Sequence, residues 1–130
     1  LGVILAVDPG DARIGLALSD ETQTIARPLT VIRHVARAKD AQKIVQFAEK
    51  EGAVEIVVGV AFDQDGNVGH QARKCLRLVA ALEEISSIPI LTWDESGSSQ
   101  AVRRGAGKDP QLDARAAAVI LQDYINVSKK

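Results

Sequence analysis

Aromatic side chains are scarce in this sequence: one Trp, one Tyr and two Phe among 130 residues. A core built from it has to be aliphatic, and with 46% apolar residues there is ample material for one. Cysteine is equally thin. The single Cys75 excludes an internal disulfide, suits a reducing compartment and falls on an apolar helical face, where burial is expected. Only two histidines occur, His34 and His70, and neither has a Cys, His or Asp partner at metal-ligand spacing, so a zinc site is not expected. No serine or cysteine constellation marks either histidine as a catalytic base. No apolar run approaches the roughly 20 residues that span a bilayer. No charged-then-apolar leader is read in the sequence, so a cytoplasmic protein without membrane contact is expected. The formal net charge of −1 is not that of an overtly basic nucleic-acid binder.

The distribution of charge says more than its sum. Arg27, Arg33, Arg37, Lys39 and Lys43 fall in one segment against one acid, Asp40, while Arg103, Arg104 and Lys108 form another basic group. Acids gather at 49–55, 63–65, 83–84 and 94–95. Basic surface beside a carboxylate-rich pocket fits a metal-dependent enzyme acting on a polyanion, and a mixed, solvated surface fits the charges equally well.

The chain is organised around residues 3–20. Residues 3–7 are a continuous apolar run, as in a strand buried on both faces. The run ends on Asp8, and Pro9-Gly10 turns the chain into a second strand, Ile14 to Ser19. A carboxylate at the rim of a core is costly unless it is paired, hydrogen-bonded or bound to a metal. Asp8 therefore bonds its own turn, holds Mg²⁺ for phosphodiester hydrolysis, or holds Mg²⁺-nucleotide as in an actin-like ATPase. Gly10 and Gly15 have P-loop spacing, but Leu16-Ala17 stands where Lys-Ser/Thr is required, which excludes a Walker-type site.

A third strand is expected at 27–32, with Pro28 marking a start or an edge. Ala41, Ile44, Val45 and Ala48 predict a helix over 36–51, stopped by Gly52. A second buried strand follows at 54–59. The loop after it, with Asp63, Asp65 and Gly66, begins like a calcium loop but lacks the later ligands, so calcium is excluded. The next helix, 69–85, is expected to bury Ala72, Cys75, Leu76, Val79 and Leu82, leaving Arg73, Lys74 and Arg77 largely outside. A short apolar strand at 88–93 ends in Asp94-Glu95, and alternation points only one of the two toward any site. A short helix at 100–104 and a loop at 105–108 follow. Asp109-Pro110 then starts the last helix as N-cap and first residue. Asp113, Ala117, Ile120 and Tyr124 share one of its faces, and 128–130 is a frayed tail. No boundary divides the chain, so residues 1–130 form a single domain.

Two strand-end carboxylates, Asp8 and Glu95, and one helix carboxylate, Asp113, are thus candidates for one pocket. Three carboxylates that meet repel one another unless a cation neutralises them. Oxygen-only ligands select Mg²⁺ or Mn²⁺. Two such ions about 3.5–4 Å apart can activate water and stabilise the leaving oxygen of a phosphodiester.

The order Val-Asp8-Pro-Gly10-x-x-Arg13-Ile-Gly15-x-Ala17-x-Ser-Asp20, Arg27-Pro28-Leu, Ile56-Val-Val-Gly59, Asp65-Gly66, Trp93-Asp94-Glu95 and Leu112-Asp113-x-x-Ala116-Ala-x-x-Ile120-Leu-x-x-Tyr124 resembles the YqgF/RuvX family over nearly the whole chain. The resemblance implies an α/β, RNase H-like fold: a mixed five-stranded sheet with a three-stranded antiparallel start, then parallel strands, flanked by helices. Family members are described as Holliday junction resolvases and as nucleases that mature the 5′ end of pre-16S rRNA. The family's metal-binding acids match Asp8, Glu95 and Asp113. The expectation is a nuclease using Mg²⁺ or Mn²⁺ on structured RNA, the rRNA precursor. The alternatives are a resolvase of four-way DNA junctions, which would act as a homodimer because it nicks two symmetry-related strands, and a non-catalytic nucleic-acid-binding module. The chain departs from the family where Ser96-Gly97-Ser98-Ser99 replaces an Arg-containing stretch, so the phosphate contact expected of that Arg falls to Arg103, Arg104 and Lys108.

Overall fold

β1 (Val3–Pro9) is the pivot of the fold, because its residues are buried on both faces. The computed structural model describes residues 1–62, 69–94 and 110–128, the first four of the last stretch by backbone alone. β1 pairs antiparallel with β2 (Arg13–Ser19) on one side and parallel with β4 (Ala53–Val60) on the other. β3 (Ala26–Arg33) adds antiparallel to β2, and β5 (Ile90–Asp94) adds parallel to β4. The order is β3-β2-β1-β4-β5, a mixed five-stranded sheet with an antiparallel start and a parallel remainder. Helices α1 (Arg37–Lys50) and α2 (His70–Ile85) follow β3 and β4, and α3 (Pro110–Ser128) closes the chain.

The period-2 alternation of β1 divides the molecule into two cores. Leu5 and Val7 face α1 and α2, in a cluster with Ile44, Ile56, Val58 and Leu82. Ile4 and Ala6 face α3, in a cluster with Ala17, Val57, Ala117, Leu121 and Tyr124. Both cores are mainly aliphatic, as so few aromatics require, and the second also takes in Tyr124 with Trp93 packed against it.

Pro28 sits on an edge strand where the β2–β3 register shifts, so its missing N–H removes no regular ladder bond. Gly52, at φ +71°, ends α1 in the left-handed conformation that suits glycine. One expectation changes. Leu78 is buried in α2 where Leu76 was expected, and Leu76 is 37% exposed. The stripe centred on Cys75, Val79 and Leu82 takes in position 78 at 100° per residue and leaves 76 on its flank. β5 is only half-buried because it lies at the sheet edge, with Leu91 and Thr92 exposed.

Gly10 has no room for a side chain: a Cβ there would stand 2.4 Å from the backbone oxygen of Arg13. Gly10→Ala forces the β1–β2 turn open, and a loss of about 2–3 kcal/mol in denaturant unfolding is expected.

The β2–β3 connection is held by Asp20. Its Oδ2 accepts from Thr22 Oγ1, and its Oδ1 accepts from the amides of Thr24 (2.8 Å) and Ile25 (3.0 Å). These bonds, that from Thr22 foremost, lower its pKa from 3.8 to about 2. A depressed carboxylate pKa adds stability above 3.8 that is lost as pH falls toward 2. Asp20→Asn should therefore flatten the acid limb of thermal stability in that interval, read by melting temperature against pH.

Candidate active site

Parallel strands β1, β4 and β5 all end at the same edge of the sheet, where open α/β sheets place their ligands. Asp8 lies at that edge. By alternation it follows Ile4 and Ala6 onto the α3 face, and it pairs in register with Gly15 of β2. The residue is 5% exposed, and its Oδ1 is shut off from solvent. An acid is buried here because strand period, and not polarity, sets its direction.

The direction of α3 follows from bonds along its C-terminal half. Tyr124 donates its hydroxyl to Glu55 Oε1 at 2.8 Å, near the start of β4. Gln122 accepts from the amide of Ala26 (2.9 Å) and donates to the carbonyl of Thr24 (3.0 Å), at the start of β3. The helix thus runs against β1, and its first turn lies toward the strands' carboxyl ends. Glu55 pairs with Ile4. From Ile4 to Asp8 the strand advances about 13 Å. From Tyr124 back to Asp113 the helix rises about 16 Å. The two advances are similar, so the backbone turn carrying Asp113 comes to the level of Asp8.

Of the three carboxylates singled out in the sequence, then, Asp8 is at the buried strand end and Asp113 is in the first turn of α3. Glu95 lies outside the described residues, as does the side chain of Asp113. Asp94, the last residue of β5, is exposed, and Trp93 before it packs on the α3 face, edge-on to Tyr124 at 5.6 Å between ring centroids. Among the described residues no group of three His, Cys, Asp or Glu side chains is placed to hold a metal. The loop acids Asp63 and Asp65, the stretch 96–99, the helix expected at 100–104, the loop at 105–108, the N-cap Asp109 and Lys129-Lys130 of the tail also lie outside the described residues. No helix among the described residues is long and apolar enough to cross a membrane. Cys75 is buried, as its helical face implied.

One pair of polar residues was not anticipated. Asp40 is 2% exposed on α1, its Oδ1 accepting from the amide of Val35 (3.0 Å) and its Oδ2 bonded to His34 Nδ1. The signal was present: Asp40, Ile44 and Ala48 lie four residues apart along the buried stripe.

The sheet order, the helices on both faces and the acid at the end of the central strand define an RNase H-like fold. T. thermophilus RuvC in complex with a Holliday junction substrate superposes with a TM-score of 0.59 at 18% identity, over 98% of this chain and 97% of that one. The Fowlpox virus resolvase in complex with Holliday junction DNA gives 0.57 at 14% identity, over 98% and 99%. At such identities the likeness is one of fold. The family model RuvX, described as Holliday junction resolvase, matches residues 2–127. A protein of Desulforamulus reducens is 37% identical over 98% of both chains, and one of Thermoanaerobacter pseudethanolicus is 35% identical over 97% of both. Each is named "Putative pre-16S rRNA nuclease". The chain belongs to the RuvX family, a family of nucleases with an RNase H-like fold.

Proposed function

We propose that this chain, as a single domain over residues 1–130, is a divalent-metal-dependent nuclease that hydrolyses phosphodiester bonds in structured RNA, in the maturation of the 5′ end of pre-16S rRNA. The observation that carries the reading is Asp8: a carboxylate 5% exposed at the carboxyl end of the central strand, with the first turn of α3 brought to its level. Asp113 in that turn and Glu95, the residue after β5, complete the oxygen-donor set. Such donors suit Mg²⁺ or Mn²⁺.

Held there, the ions would supply polarisation of a water and neutralisation of the leaving oxygen. The chain's own contribution is placement. Asp8 is fixed by a strand paired on both sides, and Asp113 by a helix tied down at Glu55, Thr24 and Ala26. The positive end of the α3 dipole favours both the carboxylates and an incoming phosphate.

RNA is preferred because the relatives matched over nearly their whole length are named for pre-16S rRNA. The family model's description favours the second reading, resolution of four-way DNA junctions by a homodimer. In either case the chain works in the cytoplasm, where its one buried thiol needs no oxidising partner.

The test is cleavage with Mg²⁺ and with Mn²⁺ of three substrates side by side: a pre-16S 5′-leader RNA, a single-stranded RNA and a four-way DNA junction. Preference for the leader supports the first reading and preference for the junction the second. Metal binding without cleavage of any substrate would make the chain a binding module.

A further inference from the structure

Behind Asp8, on the opposite face of β1, the structure holds a cleft of about 300 Å³. Three segments distant in sequence build it: the Pro9-Gly10-Asp11 turn, the connection from His34 into α1, and the first turns of α2. Its cations are Arg37 and Lys74. Arg37 has no ion-pair partner among the described residues. Among the described residues Lys74 pairs with Asp11, an exposed carboxylate at 2.5 Å, and such a pair yields easily to a competing anion. His34 presents its ring to the cleft while Nδ1 is engaged by Asp40.

The acids facing the cleft are already accounted for. Asp40 is buried, with one oxygen on the Val35 amide and the other on His34, and Asp11 is on Lys74. Two helix starts add to the positive field. Neither the N-cap Ala36 of α1 nor the N-cap Gly69 of α2 bonds a first-turn amide through its side chain, and α2 has no acid in its first turn. Ala36, Arg37 and Gln71 of these starts line the cleft.

We infer that this cleft is a second anion site, taking a phosphate group between Arg37 and Lys74. The phosphate is one of a nucleic-acid strand that passes over the β1–β2 turn, so that the same turn separates the Asp8 face from a holding site behind it. The strand as the source of the phosphate rests on the nuclease reading; the cleft's affinity for phosphate does not.

The experiment uses the whole chain without divalent metal, so that no cleavage occurs and failure of the nuclease reading cannot be mistaken for failure of this one. Inorganic phosphate is titrated while backbone amide NMR shifts are followed. The amides of Gly10, Ala36, Arg37 and Gln71 should move together and saturate, and Arg37→Ala and Lys74→Ala should each weaken the response. Absence of saturable shifts at these amides, or shifts that survive both substitutions, would overturn the site. In a second arm single-stranded RNA is bound at several salt concentrations. Arg37→Ala should lower affinity about fivefold and make the slope of log affinity against log salt shallower by about 0.7, the share of one phosphate contact. Phosphate binding lost with RNA affinity and slope unchanged would remove the strand and leave a free phosphorylated molecule as the occupant.

Discussion

Asp8→Asn is expected to abolish cleavage while leaving the protein at least as stable. A carboxamide keeps the shape of the side chain but removes the charge that draws a hard cation. If the metal ions supply several kcal/mol of transition-state stabilisation and one ligand in three is lost, about 4 kcal/mol disappears, close to a 10³-fold fall in rate. Stability should move the other way or not at all. Asp8 is 5% exposed, and a buried charge carries a desolvation cost that the neutral amide avoids. Cleavage rate and denaturant unfolding of the same preparations check both halves. Chelation of the metal should silence the wild type, and added Mn²⁺ should restore it but not rescue the variant. Equal cleavage by the two proteins would remove Asp8 from the reaction.

The second large effect is expected far from any reacting atom. Leu121 is fully buried between α3 and the sheet, against Ile4, Ala6, Ala17 and Val57. Leu121→Ala should cost about 3 kcal/mol, the usual range for emptying such a site. It should also slow cleavage at least tenfold under conditions where the variant is still folded. The neighbours across the interface include Ala6 and Ala17, which cannot reach into the space left behind, so α3 must settle or tilt. Its first turn, at the level of Asp8, moves with it, and misplacement on the scale of an ångström is costly to catalysis. Leu82→Ala is the control. Leu82 is equally buried but belongs to the α1/α2 core. A similar stability loss with cleavage retained is expected there. If both variants lost activity in proportion to stability, α3 would have no special part in positioning.

The reason so much was legible in advance lies in the local nature of the signals. β1 is an unbroken apolar run because it is buried on both faces, and its acid marks its end. α1 follows from a four-residue periodicity and a glycine stop, and the family resemblance implied a mixed five-stranded sheet with an antiparallel start. What escaped was non-local. Nothing in 88–93 distinguishes an edge strand from a central one; β5 is half-buried only because no described strand pairs beyond it. The choice of Leu78 over Leu76 depends on where α1 and the sheet lie around α2, since both leucines fit an apolar stripe of moderate width. The cleft behind Asp8 was invisible because residues 9–11, 34–40 and 71–78 share no motif or period. Of the candidate site, Asp8 was legible as an acid that a strand forces inward, and the alignment of α3 above it required the bonds of Tyr124 and Gln122.

Scarcity of aromatics has one more consequence. The only tryptophan and the only tyrosine of the chain touch each other edge to face, Trp93 on the strand that runs toward Glu95 and Tyr124 on the helix that carries Asp113. The indole thus sits at the seam between β5 and α3, with no second indole elsewhere to dilute its emission. The protein carries a built-in optical gauge whose colour and intensity follow the seating of that helix on the sheet, without any label attached.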